Sequence, residues 1–155
     1  MSLQDYANRK YDALAFQAVD ASTNGQMGMA LYAEDNQGRI CTGIQKLAQR
    51  WALEFLTETG SMPYKPNRGC QFMTLARQGR FRSQVDVIAA FNDAVLAISR
   101  NLQLEEPADM PLDERFANAE LLAVGVFVGY ADLRVMIVSR AGDARAVVIP
   151  VATLP

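Results

Sequence analysis

Two carboxylates, Glu54 and Glu58, have a spacing that could serve catalysis. Residues four apart lie on one face of a helix, so this pair could act as the acid and the base of glycoside cleavage. The same spacing is typical of the solvated face of an amphipathic helix, and no convergent set of polar residues marks a sugar cleft. The pattern therefore favours a solvated helix face, and we predict that the protein is not an enzyme.

Other catalytic chemistries lack their residues in this sequence. The chain has no histidine, which excludes the Ser-His and Cys-His nucleophile systems and most zinc sites. Its two cysteines, Cys41 and Cys70, cannot build a disulfide framework, and we expect free thiols. The glycine pairs Gly25/Gly28 and Gly125/Gly129 lack the Lys-Ser/Thr of a phosphate-binding loop. We predict no catalytic residue, no metal site and no cofactor.

A basic stretch is the remaining candidate for a binding site. Between residues 65 and 82 there are five basic residues and no acidic ones, with Phe72 and Phe81 among them. Such mixtures bind phosphates and stack bases, which keeps a nucleic-acid-binding domain as an alternative. The sequence pI of about 5.1 and the acidic segment 105–120 favour a protein interface instead. The interface residues predicted here are Pro63, Tyr64, Lys65, Pro66, Asn67, Arg68, Gly69, Arg77, Arg80 and Arg82.

The composition describes a chain that can fold as one domain. It has 155 residues, of which 50% are hydrophobic and 21% charged, with a net charge of -2. A chain of this size buries enough surface to fold without disulfides or metals. No apolar run approaches the ~20 residues of a membrane span, and residues 1–10 lack a signal-peptide core. We expect no membrane partner and a protein made in a cytoplasm.

Two amphipathic helices are expected to position the candidate residues. Thr42-Gly43-Ile44-Gln45 has the spacing of a capping box, and Trp51 lies on the apolar face of the helix that follows, as a core anchor. This helix should end near Gly60, and two prolines then make 61–69 an irregular loop. Ser83-x-x-Asp86 predicts the start of a second, long helix that ends before Glu105. A short helical turn is expected over 111–118.

The last third of the chain carries a β pattern. Apolar residues alternate along runs centred on Val126, Val135 and Ile149, with short breaks between them, which predicts a three-stranded antiparallel meander. Near the N-terminus, Asn24-Gly25 predicts the turn of a β-hairpin, and a short strand is possible at 39–41. The predicted fold class is α+β: two helices packed on a C-terminal meander, with residues 1–40 as a hairpin or extended arm and 41–155 as one domain.

The order of these elements resembles a known family. A helix ending in Thr57-Glu58-Thr59-Gly60, a Pro66-x-x-Gly69 loop, a second long helix, an acidic turn at Asp113-Glu114 and a terminal meander are similar to the baseplate wedge and sheath-initiator family of contractile phage tails. This family also occurs in type VI secretion baseplates. The resemblance covers about 41–151. The family's Glu-Pro-Arg loop motif is replaced here by Tyr64-Lys65-Pro66-Asn67-Arg68.

The resemblance implies a structural protein of the tail baseplate, assembled in the bacterial host cytoplasm and located in the virion. Its implied partners are the tail sheath protein, other baseplate wedge subunits and tube or hub proteins, with the helix-loop region 51–69 facing the wedge core. An exposed edge of the meander can accept another chain's strand, at Val147, Val148, Ile149 and Val151. A tail terminator or tube-end adaptor ring protein is the alternative among assembly proteins.

Overall fold

The computed structural model describes residues 9–10, 12–13 and 40–153. The predicted α+β class is confirmed. Strands β1 and β2 form a two-stranded antiparallel pair near the N-terminus, and β3, β4 and β5 form the meander in that order. The elements are β1 (Asp12–Ala13), β2 (Ile40–Cys41), α1 (Gly43–Leu56), α2 (Phe72–Arg77), α3 (Gln84–Glu105), a 3-10 turn (Leu112–Glu114), β3 (Phe116–Phe127), β4 (Tyr130–Ser139) and β5 (Ala144–Ala152).

The meander buries one face of its sheet. On β4, Leu133, Val135 and Ile137 are buried and alternate with half-buried residues on the other face. β3 begins at Phe116, so the predicted helical turn over 111–118 is too long and ends at Glu114. The register of β3 shifts at Ala117 and at Leu122, and each extra residue interrupts the period of two. The alternation of apolar and polar residues therefore predicts a strand only over the regular second half of β3.

The two long helices begin in different ways. Ser83 and Asp86 form a complete capping box at the start of α3, as predicted. Among the described residues, the Thr42 side chain makes no capping bond to α1, so the predicted box is absent there. The Gly43 N–H donates instead to Glu114 Oε1 at 3.2 Å, which means that the acidic 3-10 turn supplies the cap.

A single apolar core joins the helices to the sheet. Trp51 is fully buried, which confirms its role as a core anchor, and its ring stacks on Phe55 with a centroid separation of 5.1 Å. Phe91 of α3 packs against both rings at 6.1 Å. α1 contacts β4 and β5, and α3 contacts β3. In the part of the chain that the structure describes, no helix is long and apolar enough to span a membrane.

The described part of the first 40 residues is held by α1 and the 3-10 turn. Arg9 forms an ion pair with Asp113 at 2.7 Å, and Lys46 Nζ donates to the Lys10 carbonyl. Gln49 Nε2 donates to the Ala13 carbonyl at 2.8 Å. Of the short strand predicted at 39–41, residues 40–41 form β2, which pairs with β1, and residue 39 lies outside the described residues. The hairpin turn predicted at Asn24-Gly25 lies outside the described residues.

Candidate functional site

Glu54 is a buried residue, and the prediction that it lies on a solvated helix face is wrong. Its side chain is 1% exposed near the end of α1. One carboxylate oxygen, Oε2, accepts from Arg68 Nε at 2.6 Å. The other, Oε1, accepts from the Gly69 N–H and from Asn101 Nδ2, both at 2.8 Å. Glu54 thus ties α1 to the following loop and to α3.

Glu58 is also part of an ion pair. Its carboxylate binds Arg77 at the end of α2, while its backbone forms an isolated bridge with Cys70. The two carboxylates whose spacing could have served catalysis therefore each bind an arginine of their own chain. This arrangement fixes the segment between α1 and α2, and it does not present a pair of free carboxyl groups to a common cleft.

The loop from Thr57 to Cys70, here called the braced loop, is closed by backbone hydrogen bonds. The Cys70 N–H donates to the Thr57 carbonyl at 2.9 Å, and the Gly60 N–H donates to the Pro66 carbonyl at 2.9 Å. Gly69 has a φ of +84°, and a Cβ at this position would lie 2.2 Å from the Thr57 carbonyl oxygen. A glycine is therefore required where the loop closes.

The cations of the braced loop are neutralised by α3. Lys65 Nζ lies 3.0 Å from Glu105 Oε1, and Arg68 binds the other oxygen of the same carboxylate. Burial acts to raise the pKa of Glu105, but the hydrogen bond from Lys65 and the charge of Arg68 outweigh it, so the pKa is lowered. Burial acts to lower the pKa of Arg68, and the hydrogen bond and charge of Glu54 raise it overall.

The predicted basic stretch is therefore not one free positive patch. Lys65, Arg68 and Arg77 are in ion pairs with acidic residues of this chain. Arg80 and Arg82 are exposed and lie beyond α2, next to the start of α3. Pairing leaves less positive charge for a phosphate backbone than the sequence indicates.

A cleft of about 330 Å³ lies between the braced loop and the end of α3. Tyr64 is 97% exposed on the loop side, and Leu104 is 80% exposed on the helix side. The remaining lining residues are polar or proline, namely Lys65, Pro66, Asn67, Arg68, Asn101 and Glu105. The structure thus displays an aromatic and an aliphatic side chain beside ion pairs that hold the loop in place.

The predicted interface residues of β5 contribute differently from one another. The side chains of Val147, Ile149 and Val151 are buried in the core, whereas Val148 is half-buried on the opposite face. The Thr153 N–H donates to the Gly129 carbonyl at 2.9 Å, so odd-numbered residues of β5 direct their backbone groups to β4. Even-numbered residues direct theirs to the edge that no described strand covers.

This open edge of β5 is interrupted at Pro150, which has no N–H to donate. Ala144, Ala146 and Val148 supply both donors and acceptors to the edge. A partner strand can therefore form all its main-chain hydrogen bonds only along 144–148. There it would contact the main chain of β5 and the side chains on the outer face of the sheet. Natural proteins often place proline on an edge strand, where it limits pairing with strands of other chains.

The cysteines and acidic residues form no reactive or metal-binding centre in the described residues. Cys41 and Cys70 are both buried free thiols, and burial raises the pKa of each to about 11. No group of three acidic or cysteine residues is placed to hold a metal ion in the described ranges. Buried thiols with a raised pKa are poor nucleophiles.

Comparison with known proteins adds no family to these observations. No family model, no curated protein and no solved structure matches the chain. We therefore infer function from the geometry of the described residues and from the resemblance given above.

Sequence reasoning missed the residues of α3 that complete this site. Asn101, Leu104 and Glu105 lie more than thirty residues from the loop in sequence, and nothing in their own spacing pairs them with it. The charge contrast between 65–82 and 105–120 was the available signal. It predicted two patches that attract partners, and the structure shows that Glu105 binds Lys65 and Arg68 of the same chain.

Proposed function

We propose that the protein is a non-enzymatic assembly subunit of a contractile tail baseplate, which joins wedge subunits and initiates sheath assembly. The baseplate assignment comes from the resemblance, and the observation that supports an interface role is the exposure of Tyr64 on the braced loop. A large aromatic residue is fully exposed there although a buried carboxylate, Glu54, fixes the frame that carries it. Exposed aromatic side chains on an ordered frame are typical centres of protein interfaces.

The energetics of the braced loop support this role. Binding costs less when the contacting loop is already ordered, because little conformational freedom is lost on association. Glu54 binds Arg68, Gly69 and Asn101, and Glu105 binds the cations on the outer side of the loop. Tyr64 and Leu104 can then contribute apolar contacts without rearrangement. The polar residues around them provide the rim of such an interface.

The open edge of β5 supports strand addition as the second contact. Main-chain hydrogen bonds provide the affinity in this mode, and no catalytic group is needed. The accessible register is 144–148, where Ala144, Ala146 and Val148 direct their backbone groups to the open edge. The sheath protein is the proposed partner for this edge, and wedge subunits are the proposed partners for the braced loop.

The test is an affinity capture from the native producing cells, with nuclease treatment and identification of bound proteins by mass spectrometry. Two variants separate the surfaces: Tyr64→Ala for the loop, and Val148→Pro for the edge, since the Val148 N–H faces away from β4. Leu112→Ala, at an exposed leucine elsewhere, is the control. We expect wedge proteins to be lost with the first variant and sheath protein with the second.

Two results would overturn the proposal. One is a capture by the wild-type protein that contains no tail protein; nucleic acid recovered in a parallel capture without nuclease would then favour the nucleic-acid-binding alternative through Arg80 and Arg82. The other is recovery of tail proteins that is equally strong for the wild-type protein and both variants, since neither surface would then contribute.

A further inference from the structure

The outward face of α3 is unusually apolar for a helix at a protein surface. Val85 is 73% exposed, Ile88 41% and Leu96 69%. Six residues on one side of this face form a band about four turns long that contains no charged residue, and the exposed Asp86, Asp93 and Arg100 lie along one flank of the band. We call this band the outer stripe; its residues are Val85, Ile88, Ala89, Asn92, Leu96 and Ser99.

The outer stripe is nearly symmetric about Asn92. Ile88 lies four residues before it and Leu96 four after, while Val85 and Ser99 each lie seven away. When a helix of this pattern packs antiparallel against a copy of itself, Asn92 meets Asn92 at the centre and Ile88 meets Leu96 on both sides. Such packing removes the apolar side chains of both helices from water.

The charges beside the outer stripe fit the same arrangement. Asp86, Asp93 and Arg100 are spaced by seven residues and so line one flank of the stripe. A two-fold axis through Asn92 brings the equivalent flanks of two antiparallel helices to the same side. Arg100 then lies within about 3 Å, along the helix axis, of the level of Asp86 in the second copy. In a parallel pair these flanks lie on opposite sides.

Both members of this charge pair are able to take part. Asp86 is exposed, and only its Oδ2 is used, by the capping box and the Arg82 N–H. Arg100 is exposed and has no ion pair among the described residues. At the start of α3, Arg82 lies close to Asp86 of the same chain. At the other end, Lys65 and Arg68 are paired with Glu105, which leaves Arg100 as the unpaired cation there among the described residues.

We propose that a second copy of this chain packs on the outer stripe, with the two α3 helices antiparallel about a two-fold axis at Asn92. The apolar stripe provides the contact, and two Asp86–Arg100 pairs between the copies select the antiparallel direction. This proposal does not rest on the proposed function, because it uses neither the braced loop nor the β5 edge.

Oligomeric state measures the contact directly. We expect the full chain to show a reversible monomer–dimer equilibrium in sedimentation velocity over a concentration series. Leu96→Glu should raise the dimer Kd by roughly tenfold or more, because a carboxylate would be buried in the contact. Leu112→Glu, at an exposed leucine of the 3-10 turn outside α3, should leave the Kd unchanged. A wild-type protein that is monomeric throughout, or equal effects of both variants, would overturn the proposal.

Charge variants test the direction of packing. Arg100→Glu should weaken the dimer, and the matched change Arg80→Glu should not. Asp93→Asn should tighten the dimer, since the two Asp93 carboxylates flank the axis on one side and repel each other; Asp109→Asn makes the same change in net charge elsewhere. Equal effects within either matched pair would contradict the antiparallel arrangement.

Cross-linking gives an independent test. Under oxidation, Asn92→Cys should form a disulfide between two copies, because the residue lies on the axis. Val85→Cys alone should not, but a mixture of Val85→Cys and Ser99→Cys proteins should cross-link. The native cysteines are buried and do not compete. Efficient cross-linking of Val85→Cys to itself would show a parallel pair and overturn the proposal.

Discussion

At the scale of single residues, Glu54 has the most consequences for the molecule. A buried carboxylate is costly unless its charge and its lone pairs are satisfied. Here the guanidinium of Arg68, the Gly69 N–H and the Asn101 amide satisfy it. Because these groups come from the loop and from α3, one side chain fixes the position of the braced loop relative to both long helices.

Glu54→Gln should lower the free energy of unfolding by about 2 kcal/mol. The substitution removes the charge that pairs with Arg68, and in either orientation the new NH2 group faces a donor, either Arg68 Nε or the Gly69 N–H and the Asn101 amide. Glu58→Gln is the control, since its partner Arg77 is mostly exposed, and should cost less than about 1 kcal/mol. Urea denaturation followed by circular dichroism measures both. Similar losses for the two variants would contradict the bracing role of Glu54.

The two buried thiols should make the free energy of unfolding fall as the pH rises above about 9. In the unfolded chain they ionise at the ordinary pKa of 9.0, whereas burial raises the folded pKa to about 11. Their contribution is therefore complete below pH 9.0 and is lost as the pH rises through about 11. We expect the stability difference between the wild-type protein and a Cys41→Ser/Cys70→Ser variant to shrink across this range in urea titrations. A constant difference would contradict buried thiols.

At the scale of elements, the braced loop depends on a close approach of two backbone segments. Gly60 and Gly69 both have a positive φ, of +85° and +84°. A Cβ added at Gly60 would have no described atom within 4 Å, whereas a Cβ added at Gly69 would lie 2.2 Å from the Thr57 carbonyl oxygen. Substitution of Gly60 therefore measures the cost of the left-handed backbone conformation alone, and substitution of Gly69 adds the cost of the steric clash with Thr57.

Gly60→Ala should cost about 1 kcal/mol, the penalty of a left-handed residue with a side chain. Gly69→Ala should cost at least about 3 kcal/mol, because the loop must open or the backbone must shift at Thr57. Thermal and urea denaturation measure the difference. Equal costs would show that the two segments are not in close contact.

At the scale of the whole molecule, one core joins α1, α2, α3 and the meander. Trp51 lies at its centre, with Phe55 on its own helix and Phe91 on α3 as neighbours. Elements that share one core lose their packing together, so cooperative unfolding is expected for this part of the chain.

We expect Trp51 fluorescence and far-ultraviolet circular dichroism to report the same unfolding midpoint in urea. Fluorescence follows the core around one side chain, and circular dichroism follows all the helices and strands. An earlier fluorescence transition would show that the helices separate from the meander before they unfold. The assignment of one shared core would then be wrong.

The secondary structure could be predicted where its pattern is regular. Trp51 and Phe55 marked the apolar face of α1, the Ser83-Asp86 capping box marked the start of α3, and the alternation along β4 and β5 marked the meander. The first half of β3 could not be predicted, because its two register shifts remove the alternation. Thr42 is the N-cap residue of α1 as predicted, but its side chain makes no capping bond. The Gly43 N–H donates instead to Glu114, seventy-one residues further along the chain, which no local pattern could predict.

The α+β class, the two long helices and the meander follow from the amino-acid sequence alone, because hydrophobic periodicity and capping are local properties of the chain. Which charges are free depends on the packed fold. Glu54 was expected in solvent and is buried, and Lys65 and Arg68 are bound to Glu105. Ion pairs depend on distances between residues far apart in sequence, and these distances are set when α3 packs beside the braced loop.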